Sequence, residues 1–504
     1  MTDRPQETHQ VVVVGAGPAG LLLAAELRLA GVGTVVLERH AKRPDFCRGF
    51  NLNARALDLL ARRGLDRRFV DEGWQVGHAA FSGLPVTLNL AGTATDHPFS
   101  LGIPQTRVEE VLEEHAAKSG ADIRRGHAFE GLDQDDDGVT VHVNAGYRIR
   151  AEYVVGCDGG RSGVRKSAGI AFPGTASTRF TLLGDVELAE EGALPFGVTG
   201  PVFTIPRPGY VRIVTEDREP PADRDEPVTL DRFQAAVDDA LGRHVELRAP
   251  RWLTRFGNAA RQAEEYVKGR VLLAGDAAHI HPPAGAIGVN VALDDAFNLG
   301  WKLAATVGGN APDGLLASYH DERHAVGVDL LASTRAQVVL GEPDDRLAPL
   351  IELLTRVANH PGGNRAFTET LTGLDTRYPM DSCQEHPHPW LGRLAPDVPL
   401  STDEGEVTLA SLLASGRGVL VDSSEDRAFL AQAESWQDRL TLVGASGLAP
   451  SAVLVRPDGH TAWAAHGEPS KQDSADLERA LHRWHGAGRH TAPASVTRQR
   501  NVER

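Results

Sequence analysis

Four β-branched residues, Val11 to Val14, run straight into Gly15-Ala16-Gly17-Pro18-Ala19-Gly20, and an alanine- and leucine-rich stretch, Leu21 to Leu29, follows. Strand, glycine turn and helix in this order make a dinucleotide-binding βαβ unit. Gly15 permits the tight turn, Gly17 lets the backbone approach a pyrophosphate, and Gly20 allows close helix–strand packing. The helix start offers free N–H groups and a positive partial charge, so Pro18 and Ala19 count with the glycines as cofactor-binding. Thr34 to Leu37 form the next strand, and it ends in Glu38, spaced to accept a hydrogen bond from an adenosine ribose hydroxyl, with Arg39 beside it.

Length and charge narrow what surrounds this unit. A chain of 504 residues has room for about three domains. A formal charge of −16 argues against nucleic acid or an anionic membrane as partner, since either favours a basic surface. Cys47, Cys157 and Cys383 lie too far apart for a disulfide framework or a zinc spacing, which points to a reducing cytoplasm. Met1 to Gln10 lack the apolar centre of a signal peptide, and no apolar stretch reaches the ~18 residues of a membrane span.

The patterning along the chain is discontinuous. Residues 107 to 120 read as a helix, and Val139 to Val143 alternate as a half-buried strand. Tyr153 to Cys157 form another strand, which breaks into Asp158-Gly159-Gly160-Arg161-Ser162. From Thr178 to about Arg218 short strands alternate with Pro and Gly, and Thr229 caps a helix with Leu230, Phe233, Val237 and Leu241 on its inner face. The expected fold is α/β: a Rossmann-like dinucleotide-binding domain (1–175 and 269–385), an inserted β-sheet substrate domain (176–268, with 74–100), and a thioredoxin-like C-terminal domain (390–500) beyond the proline-broken 386–390 linker. That third domain lacks a Cys-x-x-Cys, so a structural or dimerisation role is expected of it, with a homodimer left open.

Val271-Leu272-Leu273-Ala274 reads as a buried strand followed by Gly275-Asp276-Ala277-Ala278-His279, then Pro282-Pro283-Ala284-Gly285-Ala286 and Asn290. Together with Gly15–Gly20 and with Asp158, Gly159, Ser162 and Arg165, this stretch resembles the class A flavin-dependent aromatic monooxygenases, the para-hydroxybenzoate hydroxylase group. Arg48 through Arg55, Pro104-Gln105-Thr106, Arg251-Trp252 and the C-terminal domain look most like three-domain hydroxylases of aromatic polyketides and the rifampicin monooxygenases.

The resemblance implies FAD as bound cofactor and NADPH or NADH as transient reductant, although no second glycine signature is present for the nicotinamide. It also implies delivery of one atom of O2 to a polycyclic aromatic, a polyketide or an aromatic antibiotic, from a flavin C4a-hydroperoxide. By the same resemblance Asp276 bonds the ribityl chain, and Arg48, Gln105 and Asp158 contact the cofactor. Pro283 lies beside the ring, and Gly285, Ala286, Gly288, Val289 and Asn290 surround the flavin N1 and C2 carbonyl, where a helix start stabilises negative charge. Arg165 is assigned either to this motif or to a surface acid. Phe81, Phe203 and Tyr210 are candidates for the substrate pocket, with ordinary sheet core as the alternative.

Two departures from the family pattern stand out. Gly285-Ala286 replaces a Gly-Gly pair, bringing a methyl group to a turn where backbone and cofactor are close. Gly49-Phe50-Asn51-Leu52-Asn53 replaces Ala-Leu-Gly-Leu-His. Chemistry without hydroxylation, such as Baeyer–Villiger or rearrangement reactions or a reductase activity, is the first alternative; a non-catalytic flavoprotein interaction module is the second. Among other clusters, His320-Asp321-Glu322-Arg323-His324 reads as surface helix and not as a metal site. His279 and His281 read as structural histidines at least as readily as ligand contacts, and Cys157 as an inert buried thiol.

Overall fold

The computed structural model describes residues 7–489 except 200, 222, 224–225, 343, 383–385 and 468, so Cys383 and the end of the expected C-terminal domain lie outside the described residues. Three sheets organise the chain. The largest has eight strands, and its central parallel set places Glu7–Val14 between Tyr147–Gly156 and Thr34–Glu38, with Val271–Leu273 outside Tyr147–Gly156. Strands buried on both faces need unbroken apolar sequence, which Val11–Val14 and Val271–Leu273 supply at 4% exposure or less.

Register decides where the motifs meet. Val14 pairs with Gly156 and with Leu37, and Gly156 pairs with Leu273. The glycine turn after Val14, the Asp158 turn and the Asp276 turn therefore all leave the same carboxyl edge of one sheet, where open α/β sheets bind their ligands. The Pro18–Leu29 helix packs on the long Gly288–Val307 helix, and Gly300 makes that approach possible: a Cβ there would stand 2.6 Å from Glu26 Cβ.

A second, antiparallel sheet of five strands runs in the order Gly197–Thr199, Val202–Arg207, Tyr210–Asp217, Phe180–Leu188, Leu247–Gly257. The Leu230–Leu241 helix covers one face, its Thr229 side chain accepting from the Arg232 N–H, with Phe233 and Val237 fully buried against Leu182, Val186 and Ile213. Its other face looks toward the large sheet's carboxyl edge.

The C-terminal sheet has six strands. Gly418–Asp422 pairs parallel with Leu440–Ser446 and antiparallel with Ala452–Val455, which hairpins into Thr461–Ala465; the helices Ala428–Ala433 and Lys471–His485 pack on this α/β layer. Its core is shared, for Trp301 and Leu315 join Leu420, Phe429, Trp463 and Trp484 in one cluster. No helix among the described residues is long and apolar enough to cross a membrane.

One expectation is overturned here. In the Ala317–Leu340 helix His320 and His324 are half-buried, but Glu322 and Arg323 are 3% and 1% exposed. They point into the protein because buried partners of opposite charge await them: Lys302 and Arg456 for Glu322, Asp294 and Asp295 for Arg323.

Candidate functional site

A cavity of about 920 Å³ lies between the carboxyl edge of the large sheet and the five-stranded sheet. Its wall includes Gly15, Gly17, Pro18, Ala19, Glu38 and Arg39 at one end; Arg48, Gln105, Asp158 and Asp276 in the middle; and Pro283, Gly285, Ala286, Gly288 and Val289 beyond. Residues separated by some 270 positions in sequence thus line one space.

Each end is built for close approach. At Gly15 (φ +108°) an added Cβ would stand 2.4 Å from the Cys157 carbonyl oxygen, and at Gly20 it would stand 2.0 Å from the Gly15 oxygen. Gly20 is absent from the wall because it packs the helix behind it. Gly17 differs: nothing lies within 4 Å of a Cβ there, leaving open space at the start of the Pro18–Leu29 helix, where the helix dipole favours an anion. The Ala16 N–H donates to Glu38 Oε2 at 3.0 Å and the His40 N–H to Oε1 at 2.9 Å, so Glu38 also fastens the glycine turn.

Asp276 is the one exposed residue in the otherwise buried run Val271–His279, which aims its carboxylate into the cavity. Behind it Asp295 Oδ2 accepts from the Gly275 N–H (2.9 Å) and faces His279 Nε2 (2.8 Å), while Arg323 Nε donates to Oδ1 (2.7 Å). Burial alone would raise the Asp295 pKa; Arg323 and His279 outweigh it and hold the group at about 2. His281 lines the cavity with Nδ1 2.7 Å from the Pro282 carbonyl, and burial holds its pKa below the usual histidine range despite that carbonyl.

The turn opening the Gly288–Val307 helix carries two successive left-handed residues, Gly285 (φ +75°) and Ala286 (φ +51°). The Ala286 carbonyl is held from two sides, by Asn51 Nδ2 (3.4 Å) and Asn290 Nδ2 (3.3 Å). Asn290 is 4% exposed and stands behind the wall, its Oδ1 accepting from the Asn53 N–H at 2.8 Å. Its place is that of a brace between the 51–53 segment and the turn.

Several expected residues take other positions. The Asp158 backbone borders the cavity, but its carboxylate accepts from Ser162 Oγ (2.5 Å) and the Gly163 N–H (2.6 Å), capping the next short helix. Among the described residues Arg165 pairs with no surface acid: it is 4% exposed, donates to the carbonyls of Ala277 (2.7 Å) and Gly160 (2.8 Å), and lies 3.7 Å over the Phe172 ring. It ties the second motif to the third. Of the three pocket aromatics only Phe203 reaches the wall. Phe81 packs edge-on against Phe367 in a separate core, and Tyr210 stacks under Arg251 at the turn of its hairpin.

In their place stands a ladder of rings and guanidinium groups that sequence reasoning missed. Arg207 lies 4.6 Å from both Trp74 and Phe50; Arg212 lies 4.6 Å from Phe50 and 5.5 Å from Trp252; and Trp252 stacks on Phe46 at 4.5 Å. Asp185 anchors Arg212 with two bonds of 2.7 Å. Phe50, from the segment that departs from the family pattern, is the middle rung, and only a register joining three distant segments brings it there. Cation–π contacts of this kind contribute about 0.5–2 kcal/mol each.

Fold and cavity together define an FAD-binding protein: the open helix start over Gly17, the ribose-spaced Glu38 and the single exposed carboxylate of Asp276 suit a dinucleotide that runs along the sheet edge. The FAD binding domain family matches residues 8–334, and the aromatic-ring hydroxylase C-terminal family matches residues 388–488. A curated relative, the 12-dehydrotetracycline 5-monooxygenase/anhydrotetracycline 6-monooxygenase of Streptomyces rimosus, is 42% identical over 95% of this chain and 99% of its own. The rifampicin monooxygenase of Streptomyces venezuelae is 40% identical over 95% of this chain and 98% of its own. The solved structure of an anhydrotetracycline hydroxylase from Streptomyces rimosus superposes with a TM-score of 0.88 at 41% identity, covering 95% of this chain and 100% of that one. The chain belongs to the FAD-dependent aromatic-ring monooxygenases.

Proposed function

We propose that this monooxygenase hydroxylates a polycyclic aromatic polyketide or aromatic antibiotic, with NADPH or NADH as reductant and O2 as the source of the inserted atom. The observation that carries the proposal is the continuity of the cavity: it runs from the dinucleotide turn at Gly15 to an aromatic lining of Phe46, Phe50, Trp74, Phe196, Phe203 and Phe256, contributed partly by the five-stranded sheet. Such a lining offers flat apolar area to fused rings. The relatives' names, which refer to anhydrotetracycline and rifampicin, support the same class.

Bound FAD supplies the oxygen activation. The protein's own part is binding, orientation and exclusion of water. In this reading Gly15–Gly20 and the helix start take the pyrophosphate, Glu38 and Arg39 the adenosine end, and Asp276 the ribityl hydroxyls, with Arg48, Gln105 and Asp158 alongside. The Gly285–Val289 backbone would lie at the end of the ring where charge collects on reduction and Pro283 would contribute rigid apolar surface there, while the Ala286 N–H is already given to the Pro283 carbonyl at 3.1 Å. The free thiols Cys47 and Cys157 support a cytoplasmic location. Sedimentation velocity of the purified protein separates monomer from homodimer.

The deciding experiment supplies the purified holoenzyme with NADPH or NADH, isotope-labelled O2 and a panel of tetracyclic and angular polyphenols. At least one is expected to accelerate reductant oxidation and to yield a product that carries one labelled oxygen atom. Stimulated oxidation with no label in any product overturns hydroxylation.

A further inference from the structure

The Arg456-Pro457-Asp458-Gly459-His460 turn closes a hairpin of the C-terminal domain, a position that ordinarily faces water. Here Arg456, Asp458 and His460 are at most 1% exposed, because the turn is pushed into the FAD-binding domain. Arg456 donates to both oxygens of Glu322 (2.6 and 2.9 Å) and pairs with Asp458, and Lys302 Nζ reaches Glu322 at 2.8 Å. Trp301 Nε1 donates to Asp458 at 3.2 Å.

From His460 the chain of contacts continues to the cofactor cavity. His460 Nε2 is 3.0 Å from Arg55 Nη2, and Arg55 Nε donates to Asp294 Oδ2 at 2.9 Å. Arg323 bridges Asp294 to Asp295 with two bonds of 2.7 Å, and Asp295 accepts from the Gly275 N–H beside Asp276. Arg55 is also the second residue of the Ala54–Ala61 helix, whose cap, Asn53, is bound to the Asn290 brace. A guanidinium can only donate, so His460 Nε2 is the acceptor in its contact with Arg55, and burial, which holds the His460 pKa below its ordinary range in spite of Asp458, favours the neutral ring.

We propose that the C-terminal domain positions the FAD site: through His460 and Arg55, the Arg456–His460 turn sets the place of the Gly275–Asp276 turn and of the segment at Asn53. The physical reason is that ion pairs in a sealed interior have one acceptable arrangement, since any displaced partner leaves an uncompensated charge. His460, Asp458 and Arg55 are positioning residues in this scheme, and none of them lines the cavity.

The test compares three variants of the full chain, stripped of flavin and titrated with FAD by fluorescence quenching well below their melting temperatures. His460→Ala is expected to weaken FAD binding about tenfold and to shift the visible spectrum of the bound flavin. His460→Gln, which keeps an acceptor near Nε2, is expected to recover most of both. Val453→Ala loosens the core of the same domain away from the ion chain and is expected to lower the melting temperature while FAD affinity stays unchanged. Equal effects of His460→Ala and Val453→Ala on FAD affinity, or none from His460→Ala, overturn the proposal.

Should His460→Ala fail to fold, the wild-type chain answers by reciprocity. FAD added to the flavin-free protein is expected to slow hydrogen exchange at residues 456–460 more than in the Gly418–Asp422 strand. Equal slowing in both segments overturns the proposal.

Discussion

Two glycine-bearing turns border the cavity, and they are held in opposite ways. At Gly15–Gly20 the dominant constraint is repulsive: side chains at Gly15 and Gly20 would overlap backbone atoms at 2.4 and 2.0 Å, and the Glu38 carboxylate only fastens, through the Ala16 N–H, a shape that steric exclusion sets. At Gly285–Ala286 steric exclusion is softer, since a Cβ on Gly285 would meet the end of the Leu371 side chain at 2.7 Å and no backbone, and the main constraint is attractive. A non-glycine residue occupies left-handed backbone at φ +51°, at an intrinsic cost of about 1–2 kcal/mol, and hydrogen bonds from Asn51 and Asn290 to its carbonyl keep it there. The Ala286 departure from a Gly-Gly pair thus keeps a left-handed path and stores strain in it. A sterically closed turn is intolerant of substitution, whereas a turn held by hydrogen bonds can be tuned.

The contrast is testable from its strongest side first. Gly20→Ala forces a Cβ into the Gly15 carbonyl and is expected to cost on the order of 4 kcal/mol and to yield protein free of flavin; a yellow, stable variant would break the comparison. Asn290→Ala removes two donors from carbonyls and leaves the buried Asn53 N–H without its acceptor. A loss of about 1–3 kcal/mol by denaturant unfolding is expected, with weaker FAD binding. Ala286→Gly relieves the left-handed strain but adds freedom to the unfolded chain, for a net gain of about 0.5 kcal/mol in thermal unfolding. A loss of stability there would mean that the Ala286 methyl group packs usefully and that strain is not what distinguishes the second turn.

Local rules carried much of the fold. The Val11–Val14 strand, the glycine turn, the helix to Leu29 and the acid at Glu38 all stand where short-range pattern places them, and so does the Thr229-capped helix. The expected 107–120 helix spans Gln105–Lys118. Side-chain roles were less legible. Asp158 belongs to a glycine-rich motif, yet its carboxylate caps a helix, because Ser162 and the Gly163 N–H lie one turn away. Phe81 and Tyr210 are apolar-pattern aromatics whose facing depends on which sheet covers them. Glu322 and Arg323 look like surface charges in any local window; a faint signal for their partners existed in Asp294-Asp295, two adjacent acids within a largely apolar helix.

By itself, the sequence determined that the chain has a dinucleotide turn and a second turn bearing Asp276. These depend on backbone conformation and on residues within a few positions of one another. Tertiary structure alone decided that the three motif turns share one sheet edge, that Phe50 stands between Arg207 and Arg212, and that a C-terminal hairpin reaches Asp295 through buried ion pairs. Strand register and domain docking made those choices, since both are summed over contacts between residues hundreds of positions apart.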